Sequence, residues 1–218
     1  MFNKAVGWKL ARENPVKGIK FFSEGNGRTR FLTPEEAQRL IAACCGDFGD
    51  VVLLALHSGC RRSEITSLTW ANVDLVQRTF TVLACYAQNG QTKTLPMTDE
   101  VYEMLQRRSE DRDHKPEDLV FISRYNKPWT SWRTAWENAC ERAGIKDFRF
   151  HDLRHCFGSW LAMNGTAPKA MMELMGHKTA AMTMRYSHLS VEYKRQAVAR
   201  LPKLGNLETE SPAKVPAA

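Results

Sequence analysis

Two stretches in the second half of the chain are the most informative about its fold: residues 151–155 read HDLRH, and residues 175–188 read MGHKTAAMTMRYSH. His151 and Arg154 are three residues apart, so they share one helix face if His151 enters a helix. The second stretch contains a glycine where a helix would stop, and then a short helix that ends on Tyr186. Both stretches therefore predict polar, chemically active side chains at helix ends.

Helical patterns extend from these stretches in both directions. Apolar residues recur at helical spacing from Ser131 onward. Near the start, Thr33, Pro34 and Glu36 form a helix-capping signal. The predicted helices are 2–11, 34–44, 50–57, 62–68, 99–109, 132–143, 152–163, 169–175, 180–186 and 191–201, and 119–123 is a short apolar segment.

A small sheet is predicted between the two helical regions. Residues 79–84 are rich in β-branched side chains, residues 91–97 form the return strand, and residues 70–75 hold a further short strand. Asn89-Gly90 is typical of a two-residue type I′ turn, which would pair Tyr86 with Lys93. The predicted fold class is α+β, mainly helical, with a small three-stranded antiparallel sheet at one edge.

The charge distribution favours an anionic partner. The chain carries a net charge of +7, and nucleic acid is the commonest partner of such proteins. Residues 142–203 hold eleven Lys or Arg and four Asp or Glu, so 11 − 4 = +7, and the remainder is neutral with 20 of each.

Cysteine spacing and hydropathy argue against several classes of protein. The six cysteines form no C-x-x-C pair and no Cys/His spacing for zinc, so no metal site is predicted. Reduced thiols in a cytoplasmic protein are the expected state. No apolar run approaches the roughly 20 residues that span a membrane, and the N-terminus does not read as a signal peptide.

The residues in the two stretches suit chemistry on a phosphodiester. Substitution at phosphorus builds up negative charge on the non-bridging oxygens, which positioned cations must stabilise. Arginine binds two phosphate oxygens at once and keeps its charge. A nucleophile and a proton donor for the leaving oxygen are also needed, and the chain offers a tyrosine and histidines close to an arginine.

Taken together, the motifs resemble those of the phage integrase, or tyrosine recombinase, family. That family reads H-x-x-R, then L-G-H, then a tyrosine nine residues later; His151, Arg154, His177 and Tyr186 match, with Met175 at the leucine position. Residues 58–65, SGCRRSEI, are similar to its T-G-x-R-x-x-E-[IL] box, and residues 31–36, FLTPEE, resemble the opening of its catalytic domain. The resemblance covers about residues 28–204.

The resemblance implies a role for each matching residue. Tyr186 would attack the scissile phosphate and become joined to the 3′ end of the DNA. Arg61 and Arg154 would clamp the non-bridging oxygens, and His151 and His177 would donate hydrogen bonds and assist proton transfer. The covalent bond would conserve the energy of the phosphodiester, so neither metal nor any other cofactor is implied.

Three further residues are expected to support this site. Glu64 is expected to support Arg61 or its helix, and His155 is expected to be supporting or structural. Asp152 is predicted to cap the helix that starts there.

One position departs from the family pattern. The family places a lysine just before the hairpin turn, where it is thought to protonate the leaving 5′ oxygen, but here Gln88 stands. Glutamine cannot give up a proton near neutral pH. Three explanations remain open: the chain is catalytically impaired, the proton comes from His151 or water, or Lys93 substitutes from a diagonal position about 7–8 Å across the hairpin.

The resemblance also predicts organisation and partners. Residues 1–27 would be the remnant of an upstream core-binding domain and its linker, 28–205 the catalytic domain, and 206–218 a disordered tail. The partner would be double-stranded DNA, bound by a homo-oligomer, a tetramer, through the C-terminal helix at 191–201. The rivals are a catalytically weakened DNA-binding module or regulator and an enzyme like a type IB topoisomerase.

Overall fold

The computed structural model describes residues 2–19, 30–87, 90–123, 127–129, 131–190, 195 and 198–199. Gln88, the proposed tail at 206–218 and most of the predicted helix 191–201 lie outside this set. The predicted domain boundary near residue 28 stays a prediction. None of the described helices combines the length and the apolar character that crossing a membrane requires.

Nine α-helices lie within the described residues, and they agree closely with the predicted set. Their bounds are α1 Phe2–Gly7, α2 Pro34–Ala43, α3 Phe48–Ser58, α4 Arg62–Thr66, α5 Asp99–Glu110, α6 Arg133–Ala143, α7 Asp152–Met163, α8 Pro168–Met175 and α9 Ala180–Met184. Short 3₁₀ turns cover Trp70–Asn72 and Ser187–Ser190. The mainly helical fold class is confirmed.

A three-stranded antiparallel sheet follows α4, with strands β1 Val73–Asp74, β2 Thr79–Val82 and β3 Lys93–Pro96 in the order β1-β2-β3. The predicted hairpin register was wrong, because Lys93 pairs with Val82 rather than with Tyr86. Strand β2 ends early since Tyr86 and Ala87 donate backbone N–H groups to the Leu83 carbonyl and form a separate turn. The longer connection removes the basis for a diagonal pair of Lys93 and Gln88.

The hydrophobic core lies between α3 and α7, with α2 packed on α6 beside them. Its largest fully buried side chains include Phe48, Phe80, Phe121 and Leu153. A second cluster of buried residues forms where α7, α8 and the segment after α9 meet, and it comprises Ala162, Met171, Met175 and Tyr186. Helix α7 therefore contributes to both cores and carries the HDLRH motif between them.

Candidate active site

Arg154 is a buried arginine held by the ends of two helices. Its Nη1 donates to the Gly59 carbonyl at 2.6 Å, and its Nη2 donates to the Met175 carbonyl. These carbonyls lie at the C-terminal ends of α3 and α8, where the helix dipole favours a cation. Burial, then the charge of Arg61, lowers the pKa of Arg154 to about 10, so the guanidinium is still charged at neutral pH.

Glu64 joins Arg61 and Lys93 into one network. Its fully buried carboxylate accepts hydrogen bonds from the Arg61 backbone N–H at 2.9 Å, from Arg61 Nη1 at 3.0 Å and from Lys93 Nζ at 3.0 Å. Burial opposes ionisation of Glu64, but Lys93, the backbone N–H and Arg61 outweigh it, so its pKa is lowered. The supporting role predicted for Glu64 thus extends to Lys93, and it fastens β3 to α4.

His177 follows the glycine that ends α8. Gly176 adopts a left-handed conformation with φ 62°, and the His177 backbone N–H turns back to the Met172 carbonyl. Its Nδ1 lies 2.8 Å from Thr183 Oγ1, which fixes the ring against α9. Burial, then Arg154 and Arg61, lowers its pKa to about 4, so the imidazole is neutral at neutral pH.

His151 stands at the entry to α7, as predicted. Partial burial, then His155, Arg154 and Arg61, lowers its pKa. Asp152 does not cap α7 from outside, because it is already the first residue of the helix; its Oδ2 instead accepts the Arg149 backbone N–H at 2.8 Å and braces the turn before it.

Tyr186 lies just beyond α9 in a narrow slot on α7. Its side chain is buried, and a Cβ added at Gly158 would lie 2.6 Å from Tyr186 Cζ. The ring therefore packs directly on the backbone of α7, and its hydroxyl lies 3.0 Å from His155 Nδ1. Burial raises the pKa of Tyr186, against the opposing charges of Arg154 and Arg185, so the phenol is protonated at neutral pH.

These side chains converge on one region. The charges of Arg61 and Arg154 act on both His151 and His177, and the charge of Arg154 also acts on Tyr186. A cleft of about 540 Å³ opens beside them between β3 and α8, and its lining includes Lys93, Lys169 and His177. The arrangement suits a phosphate group, because two guanidinium groups lie close to two neutral imidazoles, and one of these guanidinium groups also acts on a protonated phenol.

The structure adds detail on three residues near the site. His155, which was expected to be supporting or structural, contacts the Tyr186 hydroxyl. Gly158 and Thr183 were not singled out. A glycine inside a helical pattern signals close packing, but no local signal ties Thr183 to His177. Among the described residues, no group of three or more His, Cys, Asp or Glu could hold a metal ion.

Comparison with known proteins identifies the family. The model of the phage integrase family matches residues 30–192. The chain belongs to the phage integrase family. This phage integrase domain is 32% identical over 197 residues to the integrase of Salmonella phage P22, a match that covers 84% of the chain and 49% of that integrase. The chain spans about half the length of the curated relatives it matches.

Solved structures agree with this assignment. The catalytic domain of bacteriophage HP1 integrase is 29% identical to this chain. Its superposition has a TM-score of 0.60 and covers 79% of this chain and 95% of that domain. The Tn1549 transposon integrase, in complex with a circular intermediate DNA, is 23% identical with a TM-score of 0.71 over 92% of this chain and 75% of that protein. At this identity the second likeness concerns the fold alone.

Proposed function

We propose that the chain is the catalytic domain of a site-specific DNA recombinase that cleaves and rejoins strands through a 3′-phosphotyrosyl intermediate. The observation that carries the proposal is the proximity of Arg61 and Arg154 to both His151 and His177, with Arg154 also close enough for its charge to act on Tyr186. Membership of the phage integrase family supports it, and the integrase relatives do not favour the alternative of a catalytically weakened DNA-binding module.

In the proposed reaction, Tyr186 Oη attacks the scissile phosphorus and the bond from phosphorus to the 5′ oxygen breaks. Arg61 and Arg154 hold the non-bridging oxygens, and the two imidazoles donate hydrogen bonds to them. Attack of a 5′ hydroxyl on the phosphotyrosyl bond then restores a phosphodiester and frees Tyr186. The steps are isoenergetic transesterifications, so the proposal needs no metal and no nucleotide.

Lys93 is the residue that we propose as donor of the proton to the leaving 5′ oxygen. His151 and His177 have lowered pKa values and are neutral at neutral pH, and arginine does not give up its proton. The Lys93 ammonium carries three protons, lies against Glu64 and lines the cleft beside His177. Gln88 lies outside the described residues.

The proposed partner is double-stranded DNA, bound in the cytoplasm by a tetramer assembled through the segment 191–201. The fold likeness to an integrase solved on DNA supports the partner, and the basic region at residues 142–203 supports it on electrostatic grounds.

A nicked suicide substrate tests the function. Cleavage close to the nick releases a short strand that diffuses away, so the covalent adduct accumulates and is resolved on a denaturing gel. We expect an adduct with the wild-type chain, including in EDTA, and none with Tyr186→Phe. Absence of an adduct with the wild-type chain would contradict the proposal, and relaxation of supercoiled DNA without a partner duplex would favour a topoisomerase.

A further inference from the structure

We infer that His155 is the general base that accepts the Tyr186 proton as the tyrosine attacks, an inference that rests on the proposed function. A candidate base must lie within hydrogen-bond reach of the proton it removes. The 3.0 Å separation of His155 Nδ1 and Tyr186 Oη meets this requirement. The side chain is half-buried, so the contact is partly shielded from water.

Helix α7 is built to keep this contact. His155 and Gly158 are one helical turn apart, so they share a face, and the absence of a side chain at Gly158 lets the phenol ring lie flush with the helix. From the other side, the Thr183 carbonyl accepts the Tyr186 backbone N–H, while Thr183 Oγ1 binds His177. These contacts hold Tyr186 within range of the charge of Arg154. Arg154 precedes His155 in the chain, and the proposal assigns it to the phosphate.

Burial favours a neutral His155 ring. Burial lowers its pKa against the charge of Asp152, which acts in the opposite direction, and Arg154 and Arg185 lower it further. The His151 ring stands edge-on with its centroid 5.7 Å away. A neutral imidazole with its proton on Nε2 presents the Nδ1 lone pair to the tyrosine hydroxyl. Burial raises the pKa of Tyr186, so the phenolate is scarce and an acceptor for its proton speeds attack.

The proton inventory of the step balances. The O–H bond of Tyr186 breaks as its proton moves to His155 Nδ1, the Oη–phosphorus bond forms, and the bond from phosphorus to the 5′ oxygen breaks as that oxygen takes a proton from Lys93. In the joining step, the His155 imidazolium returns its proton to the departing tyrosine, and Lys93 regains its own from the attacking 5′ hydroxyl. No further reactant is consumed.

His155→Asn and His155→Gln test the inference, because both keep a hydrogen-bonding group without a base. We expect the single-turnover rate of adduct formation on the nicked substrate to fall by about 10²–10⁴-fold. The rise of the rate with pH that reports ionisation of His155 should disappear, whereas the affinity for DNA should stay within about twofold. His188→Asn is the matched control, since His188 is an exposed histidine two residues beyond Tyr186, and it should behave as the wild type.

A second substrate separates proton transfer from simple support of the site. In a Tyr186→Phe background, a strand that ends in a 3′-p-nitrophenyl phosphate can be joined to a 5′ hydroxyl, and p-nitrophenolate leaves without a proton. We expect His155→Asn to change this rate by less than about twofold. Equal losses on both substrates, or a wild-type pH profile in His155→Asn, would overturn the inference. A wild-type chain without any adduct would instead overturn the proposed function.

Discussion

At the scale of single residues, the pKa shifts separate the groups of the site that can supply a proton to the leaving oxygen at neutral pH from those that cannot. Burial and the two arginines lower the pKa values of His151 and His177, so both rings are neutral, which suits the hydrogen-bond donation that we propose for them. Burial raises the pKa of Tyr186, so the phenol is protonated at neutral pH and would lose its proton in the proposed attack. Within the part of the site that the structure describes, this division is why we propose Lys93 as the acid.

Lys93→Ala should therefore slow cleavage of ordinary DNA by about 10²–10⁴-fold. A 5′-bridging phosphorothiolate has a leaving group that needs no proton, so this substrate should restore the variant to nearly the wild-type rate. Lys93→Arg keeps the charge beside Glu64 but cannot give up a proton, so it should show the same selective rescue. If the wild-type chain itself reacts far better with the phosphorothiolate than with ordinary DNA, Gln88 has left it impaired.

The lowered pKa of His177 also makes stability depend on pH. Its folded-state pKa is about 4, against about 6.5 in an unfolded chain, so the unfolded state binds more protons between these values. The free energy of unfolding should therefore fall as pH drops from about 6.5 to about 4. His177→Asn, whose side-chain oxygen can still meet Thr183, should reduce this fall by on the order of 2 kcal/mol.

Urea unfolding at pH 7 and pH 4.5 measures this effect. Part of the pH dependence should survive in His177→Asn, because burial also lowers the pKa values of His57, His151 and His155. The exposed His188 provides the control, and His188→Asn should keep the full wild-type dependence. An unchanged dependence in His177→Asn would show that this ring titrates normally.

At the scale of helices and strands, the sequence predicts the features that depend on neighbouring residues, such as helix caps and helix ends. The capping box of Thr33 and Glu36 forms as predicted, with Thr33 Oγ1 accepting the Glu36 backbone N–H at 3.2 Å. Gly59 and Gly176 end α3 and α8 in the left-handed conformation. Each of these features depends on residues within about four positions of one another, so a pattern in the sequence is enough to find it.

Contacts between distant residues were the part that the sequence could not supply. The Asn89-Gly90 pair favours a tight hairpin, but the structure pairs Lys93 with Val82. Lys93 and Glu64 are 29 positions apart in the chain, and their ion pair holds β3 against α4. In the same way, nothing local indicates that the Tyr186 hydroxyl reaches His155, 31 positions away.

Glu64 should be a stabilising residue as well as an orienting one. Glu64→Gln would leave Lys93 and Arg61 without their buried counter-charge, which should lower the free energy of unfolding by about 3 kcal/mol. Chemical denaturation at pH 7 measures this loss. Glu103→Gln removes an exposed carboxylate from α5 and should change stability by less than about 0.5 kcal/mol. Similar values for the two variants would mean that the network contributes little.

At the scale of the whole molecule, charge is distributed unequally along the chain. The net charge of +7 comes from residues 142–203, which hold 11 basic and 4 acidic residues, while the other residues balance. This basic region includes α7, α8 and the segment that carries Tyr186, so the excess charge lies in the part of the chain that supplies Arg154, His177 and Tyr186. A duplex that approaches this surface would displace condensed counterions, which makes binding sensitive to salt.

Salt titration of DNA binding should locate the surface that faces the duplex. Lys169 and Lys178 are exposed in the basic region, and Lys169 lines the cleft beside His177. If both meet phosphates, the double variant K169Q/K178Q should reduce the slope of log K against log salt by about 1.8, because each phosphate contact contributes about 0.9. Fluorescence anisotropy of a labelled duplex between about 50 and 200 mM salt measures the slope.

K115Q/K127Q removes two exposed lysines outside the basic region, so it lowers the net charge equally but should leave the slope unchanged. Equal reductions in both double variants would mean that the overall charge, and not this face, determines binding.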